Sequence, residues 1–165
     1  MRSAIVPPLV GVAALLIAAM SSVAQDASPE NALGSVAIAY DVVDGQSIPT
    51  PLTEAPGDPA RGRAILSAPE RGGCLACHRV AALADTHPEQ GVSGPALDGV
   101  ASRVSEGSLR LQIVNIGIVT PDSQMPAYYT IEGVEPVAPG EPPRPLLEAQ
   151  EIEDVIAYLM TLDGE

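Results

Sequence analysis

The chain contains no lysine, no phenylalanine and no tryptophan. Without lysine, all positive charge rests on eight arginines, set against 21 aspartates and glutamates for a net charge of -13. So acidic a chain has no basic surface on which to exchange counterions with phosphates, which excludes nucleic-acid binding. Four tyrosines are the whole aromatic content of 165 residues. A domain of this size ordinarily draws much of its core area from large aromatic side chains, so their scarcity points to an interior filled by something other than side chains. The length allows one domain with a modest core. Hydrophobic residues reach 46% and charged ones 18%, which excludes a disordered acidic tail, although 17 prolines are about twice the ~5% of average usage.

One long apolar run is present, from about Ala4 to Met20, preceded by Met1-Arg2-Ser3 and closed by the small residues Ser22-Val23-Ala24. This pattern predicts a secretory signal at 1–24, cut after Ala24, and a working compartment outside the cytoplasm, in the periplasm. The alternative is an uncleaved anchor. Pro7 and Pro8 near the start and the small-residue ending favour cleavage. Removing residues 1–24 takes away one arginine and no acid, so the charge becomes -14.

Cysteine is nearly as scarce as the aromatics. The two cysteines, Cys74 and Cys77, are separated by two residues and followed at once by His78, one of only two histidines. Cys-x-x-Cys-His is the spacing at which two thiols add across the vinyl groups of a haem and the next imidazole lies under the iron. A redox-active Cys-x-x-Cys pair would call for a preceding strand and a β-α alternation, which the sequence lacks. A zinc site would need a remote second pair of ligands.

Helical signals surround this motif. Asp58-Pro59 reads as an N-cap with proline at the first helical position, opening a helix over Pro59 to Ser67. Gly62 inside it is costly for a helix and suggests close approach by another helix, with a tolerated surface glycine as the alternative. A second helix fits Ser108 to Ile116, with Ser108 as cap and Leu109, Ile113 and Ile116 on one face. A third runs from Glu148 to Leu162, its stripe being Ile152, Val155, Ile156, Leu159 and Met160, and its Glu148, Glu151 and Glu153 suit the positive end of the helix dipole. Residues 25–56 read as an extended arm with one short strand at Val36 to Val43. Residues 133–145, with five prolines, read as a rigid surface loop.

After cleavage the groups able to bind iron opposite His78 are few: Met125, Met160 and His87, with tyrosine or water as weaker alternatives. Met160 belongs to a core stripe. His87 follows His78 too closely to reach the other face. Met125 lies beyond a helix in a proline-flanked loop, and Pro126 restricts it to extended conformations, which suits a thioether held in place. His/Met ligation fills both axial positions, so such an iron passes electrons and does not bind substrate. The Pro95 carbonyl, in Gly94-Pro95-Ala96-Leu97, is a candidate acceptor for the free N–H of His78. Tyr128, with Tyr129 beside it, is a candidate to line the haem edge or bond a propionate, and either could instead face a partner.

The order helix, Cys-x-x-Cys-His, Gly-Pro-x-Leu, helix, Met-Pro, helix resembles a class I cytochrome c. The segments Ile48-Pro49-Thr50-Pro51-Leu52-Thr53, Pro56-Gly57-Asp58-Pro59-Ala60-Arg61-Gly62-Arg63 and Met125-Pro126-Ala127-Tyr128-Tyr129 narrow the resemblance to the SoxX family, the small cytochrome subunits of SoxXA complexes. The resemblance implies an all-α cytochrome domain at 57–165 around one covalent haem c, held through Cys74 and Cys77 and ligated by His78 and Met125. It further implies pairing with a SoxA-like dihaem or monohaem subunit that holds the catalytic cysteine. The pair would act as an L-cysteine S-thiosulfotransferase on a sulfur-carrier protein and pass electrons to a downstream cytochrome. No catalytic residue is implied here, because both cysteines serve the haem. A free-standing periplasmic cytochrome, or the cytochrome subunit of another dehydrogenase, is the alternative. Glu148 departs from the threonine that often caps the last helix in such proteins.

Overall fold

The computed structural model describes residues 39–130 and 143–164, so the expected leader, the first part of the arm and most of the proline-rich loop lie outside the described residues. Among the described residues, three α-helices and several single 3-10 turns make up the regular structure. Helix α1 spans Pro59–Ser67, as Asp58-Pro59 predicts; the Asp58 carboxylate accepts from Ala60 N at 2.8 Å and Arg61 N at 3.2 Å. It stops because Ala68 precedes Pro69 and is driven into extended backbone, φ -79° and ψ 116°.

Helix α2, Glu106–Asn115, begins two residues earlier than the sequence suggests. Ser105 is the cap, not Ser108: its hydroxyl oxygen accepts from Ser108 N at 3.2 Å. Glu106 then sits in the first turn, where its charge suits the helix dipole. The far end is one residue short of the expected Ile116, which enters a 3-10 turn over Ile116–Ile118 after the Asn115 side chain accepts from Gly117 N.

Helix α3, Ala149–Leu159, is shorter than expected at its C-terminus, where the chain leaves the helix at Met160 and Thr161 N donates to Tyr158 O. Glu148 needs no replacement by threonine, because Glu148 and Glu151 form a capping box in which Glu151 accepts from Glu148 N at 2.8 Å.

Helices α1 and α3 cross at Gly62. A β-carbon there would lie 1.8 Å from the Asp154 carbonyl oxygen, so the expected close approach is present and only glycine permits it. Asp154 reinforces the crossing by accepting from Arg61 Nε at 2.8 Å and from Asp58 N at 2.8 Å. The described part of the arm forms no strand; it carries a single antiparallel bridge between Val43 and Ser47. Strand pairing needs a partner edge, and among the described residues no strand offers one.

The arm's end is nevertheless part of the core, with Ile48 and Leu52 buried. They are joined to α2 and α3 by a buried ion pair. Arg110 donates to Glu153 through Nε at 2.7 Å and Nη2 at 2.8 Å, and through Nη1 to Ile48 O at 2.8 Å, while Glu153 also accepts from Leu52 N.

Candidate functional site

The site is built from the turn after α1. Gly73, at φ 59°, takes the left-handed conformation that swings the chain into a 3-10 turn at Cys74–Ala76. Side chains three apart eclipse in such a turn, so Cys74 and Cys77 come to one side of it. Both are free, Cys77 exposed and Cys74 half-buried. Burial pushes the Cys74 thiol up to about 11, against a lowering by its bond with the Tyr128 hydroxyl. Burial, and then the neighbouring Cys74, push the Tyr128 phenol well above its ordinary value.

Residues 91–97 run back along this motif. Gly91 N donates to Leu75 O, Gly94 N to Cys77 O and Leu97 N to Arg79 O, at 2.8, 2.9 and 2.9 Å. Gly94 lies against the His78 ring, where a β-carbon would come within 2.5 Å of Cε1. Next to it, His78 Nδ1 meets Pro95 O at 2.7 Å, as the sequence suggests. A carbonyl only accepts, so Nδ1 carries the proton and Nε2 of the neutral ring keeps its lone pair for a metal.

The loop bearing Pro95 is itself pinned. Arg103 donates to Ala96 O at 3.1 Å and Asp98 O at 2.6 Å, and the Asp98 carboxylate accepts from Ala81 N at 2.7 Å. None of these three contacts is legible in sequence, where Arg103 is one surface charge among many.

Met125 is partly buried against the core, its N–H donating to Ser123 Oγ at 3.2 Å. Met160 is also partly buried, at the end of the α3 stripe. His87 stays in its loop, paired with the Thr86 hydroxyl at 3.0 Å. The Tyr128 hydroxyl donates to Gly72 O at 2.7 Å, so it is engaged with backbone beside the cysteines. Tyr129 is buried, its ring 6.4 Å from that of Tyr40.

Two thiols on one side of a turn, an imidazole with Nε2 free and its other nitrogen held, and a thioether on a separate loop make a donor set that suits a covalently attached haem iron. The cytochrome c family profile matches residues 59–163. The chain belongs to the cytochrome c family. This cytochrome is similar to a chain in the crystal structure of SoxXA from P. pantotrophus, with 37% identity and a TM-score of 0.70, covering 79% of this chain and 99% of that one. None of the curated proteins matches it. The cytochrome is therefore an all-α, class I electron-transfer protein whose cofactor is covalent haem c. Among its described residues no helix is long and apolar enough to cross a membrane.

Proposed function

We propose that this cytochrome is the small, electron-carrying subunit of a SoxXA complex, exported to the periplasm with loss of residues 1–24. The observation that carries the reading is the match over 99% of a SoxXA chain by a sequence whose His78 holds Nδ1 to Pro95 O and leaves Nε2 free. Cys74 and Cys77 would hold the haem as thioethers, and His78 and Met125 would supply the nitrogen and sulfur ligands to its iron. Haem bound in this way supplies a one-electron couple of raised potential.

The protein's own part is to hold the donors. The Pro95 carbonyl fixes the tautomer and rotation of His78, and hydrogen bonding at Nδ1 raises the basicity of Nε2. Gly94 allows the loop to lie against the ring without a clash. Pro126 limits the torsions next to Met125. No side chain here serves as a nucleophile, since both thiols are consumed. In the complex, the SoxA-like partner's cysteine chemistry joins thiosulfate to a cysteine of the carrier protein, releasing one proton and two electrons. This subunit passes those electrons, one at a time, to another cytochrome.

With 21 acids and no lysine, its contacts to the partner rest on apolar area or on basic partner surface. The test is isolation from a sulfur-oxidising host. The expected outcome is a stable heterodimer with a larger haem protein, and reduction of this haem on adding thiosulfate together with the carrier protein. A cytochrome recovered alone, and not reduced under those conditions, would make it a free-standing carrier.

A further inference from the structure

Two separate stretches of chain supply the donors, and one side chain spans them. Tyr128 lies three residues after Met125, with Pro126 between. Its N–H donates to Ile113 O at 3.1 Å, satisfying a carbonyl in the last turn of α2, and its own carbonyl accepts from Leu147 N at 3.0 Å on the approach to α3. The backbone here is thus held on both sides. The ring is buried, and the hydroxyl donates to Gly72 O at 2.7 Å, two residues before Cys74.

Gly72 has little freedom to move away. Its N–H donates to Ile65 O in α1, and a β-carbon would lie 2.7 Å from that same oxygen and 3.3 Å from Cys74 Sγ. The Tyr128 hydroxyl therefore grips the carbonyl of a residue whose N–H is bonded to α1 and whose α-carbon faces the Cys74 sulfur.

We infer that Tyr128 is a positioning residue, fastening the segment that carries Met125 to the segment that carries Cys74, Cys77 and His78 through its bond to the Gly72 carbonyl. This rests on the reading that Met125 is the axial ligand opposite His78. Few soft torsions separate the Tyr128 peptide from Met125, because Pro126 fixes one of them. When the hydroxyl is absent, a buried carbonyl loses its partner and the Met125 loop loses one anchor. The form with the sulfur off the iron then becomes about fivefold more populated, the size of one typical net hydrogen bond.

The test uses ferric holoprotein and imidazole as an external ligand, which binds only when the sulfur leaves. Tyr128→Phe keeps the ring and removes the hydroxyl. Its apparent affinity for imidazole should rise about fivefold, while the far-red sulfur-to-iron absorption remains present before imidazole is added. Unchanged affinity overturns the positioning role. Met125→Leu separates this from the underlying reading: if it leaves the far-red absorption and the imidazole affinity as in the wild type, Met125 is not the ligand and the inference fails with it.

Should Tyr128→Phe not mature with haem, hydrogen exchange of the wild-type holoprotein serves instead. The amides of Gly72 and Tyr128 should open together, with the same protection. Opening of Tyr128 while Gly72 stays protected would overturn the inference.

Discussion

Asp154 lies buried in α3 beneath the start of α1. Burial pushes its carboxyl up, but hydrogen bonds from Arg61, the Asp58 N–H and Gln150 outweigh this and hold it below its ordinary value. A carboxyl lowered in this way adds stability above its unfolded value of about 3.8 and loses it as pH falls through the folded value. Arg61→Gln should therefore move acid unfolding, followed by far-UV circular dichroism, to higher pH. An unchanged acid midpoint would mean that the backbone and Gln150 bonds alone hold the charge. In the sequence, Glu153 reads as an acid suited to a helix N-terminus, and Asp154 carries no signal of its own. Their burial depends on arginines 43 and 93 residues away, a distance over which local pattern carries no information. The His78–Pro95 contact, by contrast, was legible, because the motif leaves one ring nitrogen to satisfy and Gly94-Pro95 offers a carbonyl in a tight loop.

Helix α1 shows how much of an element a few residues determine. Asp58-Pro59 sets its start, Pro69 its end, and Gly62 the site of its crossing with α3. Gly62→Ala places a methyl group against backbone that cannot rotate away, so α1 and α3 must separate. The expected loss is about 3 kcal/mol or more, measured by denaturant unfolding of the holoprotein. A loss below about 1 kcal/mol would show that the crossing is soft. The boundary of α2 was less legible, since Ser105 and Ser108 are both competent caps. The choice between them is tertiary: Gly107, in the first turn, accepts from Ile48 N at 2.9 Å and draws the helix start toward the arm.

At the scale of the molecule, the arm, α2 and α3 meet at Arg110 and Glu153. Arg110→Met would leave Glu153 buried without its counter-charge, at a cost of about 3–5 kcal/mol, whereas exchanging both residues for apolar ones should recover most of it. Limited proteolysis in 46–56 should quicken for the single variant only, because Ile48 and Leu52 are secured by this pair. Equal cleavage in both variants would show that the arm is held by apolar packing alone. The cytochrome c family was legible from spacing, since Cys-x-x-Cys-His declares its chemistry locally. The ion pair was not, because it joins stretches about 60 and 100 residues apart.

The α1–α3 crossing sets the chain just before the Cys74–His78 turn against the chain that follows Met125, so one close helix contact ties together both sides of the stretch that carries the candidate donors. If Met125 and His78 hold the haem as proposed, loosening of the crossing by Gly62→Ala should also shift the reduction potential of the holoprotein, although no electron passes through that contact.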